Sequence, residues 1–240
     1  MKQAIDQEDI LFLDIETVPL KSHFSQLNSI ERSLWLEKAA FINKKGISDA
    51  EFYHRAGIYA EFVKIVCISV GKLVREYDGS TVFLESFASH NERRLLSDVS
   101  AFLDELNHKG LLLCAHNGKE FDFPYIARRC LIRNVPLPRI LNIAGKKPWE
   151  VQHLDTLELW KFGDWKSYTS LKVLAHGFGI ANPKEEMDGS DVWRVYWEEN
   201  DLDKIVRYCE SDVITLMEVY RRMKGQKTLG LSIRQHQGAA

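Results

Sequence analysis

Residues 10–17 read Ile-Leu-Phe-Leu-Asp-Ile-Glu-Thr, and this stretch decides the fold. The run over residues 10–15 is almost entirely apolar, which is typical of a strand covered on both faces. Residues 63–70 have the same pattern, so we interpret both runs as central strands of one sheet. Asp14 lies inside the first run, where a carboxylate costs free energy unless it has a partner or a metal ion. The stretch therefore predicts a buried strand that carries a functional acid.

The pattern outside these two runs predicts an alternation of strands and helices. Residues 20–62 have a largely helical pattern, which we interpret as an insertion packed beside the sheet. Residues 73–77 and 81–87 flank Asp78-Gly79, a turn signal that predicts a hairpin continuing the sheet. The other predicted elements are helices over residues 91–107, 123–132, 170–176 and 202–223 and strands over residues 111–115 and 151–154. Early strands followed by strand–helix units indicate an α/β protein with a mixed sheet flanked by helices.

Length and composition are those of an ordinary globular protein. The chain has 240 residues, of which 45% are hydrophobic and 28% charged, enough to bury a sizeable core. We expect one domain over residues 1–225, including the insertion at about 20–62, and a flexible tail over 226–240. The net charge is −2, so a global basic field for nucleic acid is excluded. Any affinity for nucleic acid must come from local patches and bound metal.

The cellular environment is also suggested by the sequence. The four cysteines have no C-x-x-C spacing and lie in apolar segments, which predicts buried reduced thiols. No apolar run is long enough to cross a membrane, and the acidic start of the chain is unlike a signal peptide. We therefore expect a cytoplasmic protein without membrane association.

Three short acidic motifs, far apart in the chain, have the spacing of a shared site. Asp14 and Glu16 are two residues apart on a strand, so their side chains face the same way. Tyr208 and Asp212 are four apart on a predicted helix and share one face. Asp122 lies near the start of another helix, where negative charge is favoured. The three elements can meet at one edge of the sheet.

Four converging carboxylates would repel one another strongly. Each pair about 4 Å apart costs roughly 4 kcal/mol at an effective dielectric near 20. Such a cluster needs divalent cations or protons, and carboxylate oxygens suit Mg²⁺ or Mn²⁺. Sites with two cations and several carboxylates commonly carry out displacement at a phosphodiester. The motifs therefore predict a metal-dependent nuclease.

The motifs differ in how often each would occur by chance. The D-x-E and Y-x-x-x-D patterns are each expected in about one of two chains of this length, whereas N-x-x-x-F-D is expected in roughly one of thirty. Asn117-Gly-Lys-Glu-Phe-Asp122 therefore carries most of the statistical weight. Tyr208 alone is more typical of an amphipathic core position, and its helical register with Asp212 favours a functional role.

On these residues the chain resembles the DEDD, or DnaQ-like, superfamily of 3′-5′ exonucleases, which have a ribonuclease H-like fold. The matching residues are Asp14 and Glu16 in LDIET, Asp122 in HNGKEFD and Asp212 in YCESDV. Tyrosine four residues before the last aspartate makes the chain similar to the tyrosine (DEDDy) subgroup. The N-x-x-x-F-D form is similar to the proofreading domains of family B DNA polymerases. The likeness extends over about residues 10–223 and implies a mixed five-stranded sheet, but the insertion at 20–62 departs from a minimal domain.

The resemblance implies a role for each matching residue. Asp14, Glu16, Asp122 and Asp212 would hold two Mg²⁺ or Mn²⁺ ions about 3.5–4 Å apart. Tyr208 would orient the attacking water through its hydroxyl, because a phenol with a pKa near 10 is a poor base at neutral pH. The candidates for holding the terminal nucleotide are the backbone of Thr17 and the side chains of Asn117 and Phe121. For Phe121 a core role is an equal alternative.

The expected function is removal of nucleotides from the 3′ ends of single-stranded DNA. An exonuclease that trims RNA is the nearest alternative, because these residues bind phosphate and metal without reading the sugar. A catalytically silent nucleic-acid-binding module is the alternative from another class. The presence of all four acids and the tyrosine argues against silence, since repelling carboxylates without metal only cost stability.

Three further patterns have both a structural and a functional interpretation. Asp155 has the spacing of a helix cap, and it can also support a nearby metal ligand. The stretch Lys146-Lys-Pro-Trp149 places charge beside an aromatic ring on a loop, which suits either solvent or a stacked base. Arginines near the second motif would form either a solvated helix face or a phosphate contact; they are Arg128, Arg129 and Arg133.

Overall fold

The protein is an α/β structure built on one mixed sheet. A computed structural model describes residues 7–76, 79–107, 110–164, 166, 168–180, 187–228 and 233–235. The strands are β1 (Ile10–Pro19), β2 (Val63–Glu76), β3 (Gly79–Ala88), β4 (Leu112–Ala115), β5 (Leu154–Asp155) and β6 (Ile233–Gln235). Their order across the sheet is β5-β4-β1-β2-β3-β6. β1, β2 and β3 pair antiparallel, and β4 and β5 continue the sheet in parallel from β1. The predicted ribonuclease H-like five-stranded mixed sheet is confirmed, and β6 extends it by pairing with β3.

Helices flank the sheet and connect its strands. They are α1 (Ser29–Ile42), α2 (Asp49–Phe52), α3 (Glu92–Leu106), α4 (Asp122–Ile132), α5 (Thr156–Lys161), α6 (Leu171–Gly177), α7 (Val192–Arg194) and α8 (Leu202–Met223). A 3-10 helix, Tyr53–Ile58, follows α2, and a π-helical turn, Val195–Glu199, follows α7. Within the described residues, no helix is both long and apolar enough to cross a membrane.

The apolar run of β1 is explained by helices on both faces of the sheet. Leu11 and Leu13 belong to a core shared with α3 and α4. Ile10 and Phe12 face the other way, into a core with α8, where Phe12 meets Tyr220 at a ring-centroid distance of 5.5 Å. Alternate residues therefore enter different cores, and this is why the strand has no polar face. All four cysteines are buried and free, as predicted.

The second strand is longer than the sequence predicts. We expected two strands, over residues 63–70 and 73–77, but β2 runs without a break from Val63 to Glu76. Gly71 does not interrupt the ladder; its backbone lies opposite Phe12 on one side and Leu84 on the other. A Cβ there would lie 2.6 Å from Val213 Cγ1 of α8, so this glycine marks a close approach of helix to sheet. Of the predicted turn Asp78-Gly79, Asp78 lies outside the described residues, and Gly79 is the first residue of β3, paired with Glu76.

The last predicted strand is shorter than the sequence predicts and lies further along the chain. We expected a strand over residues 151–154, but β5 contains only Leu154 and Asp155. The reason lies in His153, whose Nδ1 accepts the backbone N–H of Leu113 at 3.3 Å, while its Nε2 lies 2.9 Å from the carbonyl of Ile140. The side chain of His153 therefore accepts the backbone N–H of Leu113, which would otherwise bond a neighbouring strand. As a result, only the two residues of β5 pair with β4.

The insertion has its own small core beside the sheet. Asn28 and Glu31 form a capping box that starts α1, and Trp35 of this helix is fully buried among aromatic rings of α2 and the 3-10 helix. Thr17 Oγ1 donates to the carbonyl of Gly57 at 2.7 Å, which ties the insertion to β1. The division into one domain over 1–225 and a flexible tail over 226–240 stays a prediction, although Ile233–Gln235 pairs with β3.

Candidate active site

Asp14 and Glu16 lie together on β1. One oxygen of each carboxylate and the Sγ of Cys209 lie within 4.8 Å of one another. β1 continues beyond these acids to Pro19, with a register shift between Glu16 and Thr17. The neighbouring strand β4 ends earlier, at Ala115, and its last pair with β1 joins Cys114 to Phe12. The site therefore forms where β4 stops while β1 continues.

The second motif is a tight loop that leads from β4 into α4. Asn117 has a φ of 67°, a left-handed conformation that asparagine tolerates better than most residues. A Cβ on Gly118 would lie 2.3 Å from the Cβ of Ala115, so only glycine fits this approach. The backbone N–H of Phe121 bonds the carbonyl of Asn117 at 2.9 Å and closes the turn. Asp122 is then the first residue of α4, and its carboxylate accepts the backbone N–H of Ile15, between the two acids of β1.

The third motif lies on α8. Tyr208 and Asp212 face the same way, and the hydroxyl of Tyr208 donates to the Asp212 carboxylate. Gly189 lies next to this hydroxyl, since a Cβ built on it would be 3.9 Å from the oxygen. The loop over residues 187–190 thus lies beside Tyr208, and Met187 at its start is buried in the core under α8.

The charges of these acids act on one another. Burial raises the pKa of Asp14 well above its usual value, and the charges of Asp212 and Asp122 raise it further. The pKa of Glu16 is also raised well above its usual value, first by burial and then by Asp14 and Asp212. Burial raises the pKa of Asp122 to about 7, with added repulsion from Asp155 and Asp212. The three motifs therefore lie close enough for their charges to interact, although only Asp14, Glu16 and Cys209 place ligand atoms within 4.8 Å of one another among the described residues.

A divalent cation fits the chemistry of this cluster. The donors are carboxylate oxygens, which hard cations such as Mg²⁺ and Mn²⁺ prefer. Burial and mutual repulsion make the ionised form costly without a counter-charge, and a bound cation supplies one. The structure contains this carboxylate cluster.

Cys209 was not expected at the site. It is fully buried on α8, and its thiol lies 3.4 Å from both Oδ2 and the backbone oxygen of Asp14. The hydrogen bond to the carboxylate lowers the pKa of Asp14 and so opposes the effect of burial. Its position directly after Tyr208 was the only signal in the sequence, because a cysteine in an apolar helix is usually a core residue.

Asp155 combines the two roles that the sequence left open. Its Oδ1 accepts the N–H groups of Leu157 and Glu158 and so caps α5. The same carboxylate accepts the N–H groups of Asn117 at 3.0 Å and Lys119 at 3.1 Å. One buried side chain therefore anchors both a helix and the loop that carries Asp122.

The other predicted residues lie close to the acids but differ in their contacts. Phe121 is half-buried and stacks on Tyr125 with a ring-centroid distance of 4.2 Å, which agrees with a core role as much as with a nucleotide contact. The backbone of Thr17 lies just beyond Glu16, and Asn117 forms the turn before Asp122.

The expectation for the arginines is wrong for Arg129. Its guanidinium is buried and forms two bonds to the Glu92 carboxylate, at 2.8 and 2.5 Å, plus one to the carbonyl of Ala60 at 2.9 Å. It is therefore neither a solvated residue nor a phosphate contact. Arg128, one residue earlier, is exposed.

Comparisons with known proteins agree with the fold and with the exonuclease family that the chain resembles. A family model described as "Predicted 3'-5' exonuclease related to the exonuclease domain of PolB" matches residues 58–235, a span that includes the second and third motifs but begins after Asp14 and Glu16. Among solved structures, the chain is similar to the family B DNA polymerase from the hyperthermophilic archaeon Pyrobaculum calidifontis. The TM-score is 0.53 at 18% sequence identity, over 89% of this chain and 24% of the polymerase. The chain thus spans about a quarter of that protein's length. No curated protein matches this chain.

Proposed function

Because the chain belongs to the family of predicted 3′-5′ exonucleases related to the exonuclease domain of PolB, we propose that it removes nucleotides from the 3′ ends of single-stranded DNA in a divalent-metal-dependent reaction. The observation that carries the proposal is the proximity of Asp14, Glu16, Asp122 and Asp212: the charges of Asp122 and Asp212 raise the pKa values of Asp14 and Glu16, and the charge of Asp212 raises that of Asp122. The similarity to a DNA polymerase favours DNA over RNA as the substrate.

Each residue has a distinct task in the proposed reaction. Asp14, Glu16, Asp122 and Asp212 would hold two Mg²⁺ or Mn²⁺ ions. When bound, the cations would supply Lewis acidity that makes water a better nucleophile and neutralises charge on the leaving oxygen. Four acids together with Tyr208 also fit the tyrosine, or DEDDy, subgroup that the third motif resembles.

Tyr208 would orient the attacking water through its hydroxyl. Burial raises the pKa of Tyr208 above its ordinary value, with further increases from Asp212 and Glu16, so the phenol stays protonated at neutral pH. A protonated phenol donates and accepts hydrogen bonds but does not remove protons. Thr17 and Asn117 lie beside the acids, where they would hold the terminal nucleotide together with Phe121. A cytoplasmic location stays a prediction.

The direct test uses strands labelled at the 5′ end. Single-stranded DNA and RNA of one sequence are incubated with the protein and Mg²⁺ or Mn²⁺, and the products are separated by length. We expect stepwise shortening of the DNA from its 3′ end and none with Asp14→Ala. Faster shortening of RNA would make the protein an RNA-trimming exonuclease, and binding without shortening of either strand would indicate a silent module.

A further inference from the structure

A groove of about 600 Å³ opens beside β5, the strand at one edge of the sheet. The residues that line it come from the segment 151–155 that contains β5, from the 3-10 turn Pro148–Glu150 (Trp149), from α5 (Glu158 and Leu159), from β4 (Leu112) and from the second motif (Lys119). This volume lies within the range of small-ligand sites and is large enough for one or two nucleotides.

Trp149 is the unusual residue of this groove. Its side chain is 75% exposed, although tryptophan buries more apolar surface than any other residue when it joins a core. The Nζ of Lys147 lies 5.2 Å from the centre of the ring, a cation–π distance, and Lys146 beside it is exposed. An exposed ring next to an ammonium group, with a second lysine adjacent in the chain, is an arrangement on which a nucleobase stacks while its phosphate meets positive charge.

The acids that face the groove are already engaged by the protein. Asp155 accepts four backbone N–H groups, and Glu158 pairs with Lys119 at 2.8 Å. Glu150, which belongs to the same 3-10 turn as Trp149 but does not line the groove, accepts the backbone N–H of Lys147 at 2.8 Å. Lys119 balances the charge of Glu158, and backbone hydrogen bonds partly offset the charges of Asp155 and Glu150, so a phosphate beside Trp149 would meet the positive charge of Lys147.

The groove adjoins the candidate active site through Asp155. This residue lines the groove, bonds the loop that carries Asp122, and contributes to the raised pKa of Asp122. Tyr168, whose side chain is 70% exposed, lies in the same region, because the charges of Asp155 and Asp122 both act on its phenol. Exposed aromatic side chains thus occur both beside the acids and in the groove.

We propose that this groove binds one or two nucleotides of single-stranded DNA on the 5′ side of the terminal nucleotide, with a base stacked on Trp149 and phosphate against Lys146 and Lys147. The inference rests on the proposed function for the direction of the strand. A peptide added to the sheet edge is a poorer occupant, since β5 offers only two residues for pairing.

The test compares ligands of different length. Binding of thymidine monophosphate and of oligothymidylates of three and eight nucleotides is measured with Ca²⁺ in place of Mg²⁺, and the strands are checked for integrity afterwards. Trp149→Ala is expected to weaken binding of the eight-nucleotide strand about tenfold, the effect of one lost stacking contact, and to leave the mononucleotide unchanged. Trp149→Phe keeps a smaller aromatic ring, so its affinity for the eight-nucleotide strand should lie between that of the unaltered protein and that of Trp149→Ala.

Phe162→Ala is the matched control. Phe162 is 90% exposed but lies outside the groove lining, so this variant should bind every ligand as the unaltered protein does. Three results would each overturn the proposal. Trp149→Ala could weaken binding equally for ligands of every length, it could leave binding of the longest strand unaltered, or the unaltered protein could fail to bind that strand. If the length-dependent loss occurs but no strand is shortened in Mg²⁺, the groove stands and the exonuclease assignment fails.

Discussion

Cys209 lies on the helix that also carries Tyr208 and Asp212, and its buried thiol contacts the Asp14 carboxylate at 3.4 Å. A hydrogen bond of this kind orients the carboxylate and keeps its pKa lower than burial alone would. Because a proton and a cation compete for the same oxygens, a lower pKa favours the cation at neutral pH.

Cys209→Ala should therefore raise the Mg²⁺ concentration that gives half-maximal activity. We expect a change of roughly fivefold, the equivalent of about 1 kcal/mol for one hydrogen bond. Initial rates measured over a Mg²⁺ titration at pH 7 would show it. Cys209→Ser keeps a donor and should restore most of the affinity, whereas a purely steric role would make serine and alanine behave alike.

Tyr208 gives a second prediction at this scale, which concerns pH. Since burial and the neighbouring acids raise its pKa above 10, the phenol carries its proton throughout the neutral range. Tyr208→Phe should lower kcat about a hundredfold, through loss of the group that positions the water. The shape of the rate profile between pH 6 and 9 should stay the same, measured with saturating Mg²⁺. A profile whose alkaline limb changed in the variant would show that Tyr208 titrates and acts as a base.

Among the elements, the loop between β4 and α4 depends on Asp155. Four N–H groups lose their acceptor in Asp155→Ala, two in the first turn of α5 and two in the loop before Asp122. We expect a loss of about 3 kcal/mol in the free energy of unfolding, because a helix cap alone is worth about 1 kcal/mol and unsatisfied donors add to it. Activity should fall roughly tenfold or more, since Asp122 would lose its fixed position.

Asn91→Ala is the matched control for this prediction. Asn91 caps α3 by accepting the N–H of Arg94 at 3.3 Å, and it has no part in the active-site loop. The control should lose about 1 kcal/mol of stability in urea denaturation and keep full activity. Equal effects of the two substitutions on the rate would contradict a special role for Asp155.

Long elements were predictable because their periodicity spans many residues. The two-sided burial of β1 follows from an unbroken apolar run, and α8 follows from an apolar stripe of 22 residues. The full length of β2 was not predictable from the sequence. A glycine can stay within a strand and leave room for a helix to pack closely, or it can break the strand, and the sequence does not distinguish the two cases. Gly71 is the first kind, and only the position of Val213 reveals it.

The site was predictable where spacing alone sets direction, as for Asp14 and Glu16 on a strand and for Tyr208 and Asp212 on a helix. Cys209 and Arg129 were not, because their roles depend on partners 195 and 37 residues away in the chain. A buried arginine paired with a buried glutamate leaves no local pattern: each residue is ordinary on an amphipathic helix until the two helices pack.

For the whole molecule, the acids make stability depend on pH and on metal. A carboxyl group with a raised pKa in the folded state binds protons more tightly than in the unfolded chain, so it stabilises the fold at low pH. This contribution is lost as the pH rises from the unfolded pKa near 4 through the folded value, which is about 7 for Asp122. Above that value the ionised acids repel one another unless a cation is bound.

We therefore expect the rise in Tm between EDTA and Mg²⁺ to be small at pH 5 and large at pH 8. In EDTA at pH 8, Asp122→Asn should be more stable than the unaltered protein, because one buried charge is removed. In Mg²⁺ the order should reverse, because the variant has lost a ligand. Repulsion among the ionised carboxylates destabilises the metal-free fold, and a bound cation removes that repulsion. Thermal unfolding of both proteins at the two pH values checks the prediction, and a Mg²⁺ effect on Tm that did not vary with pH would show that these carboxylates do not form the cation site.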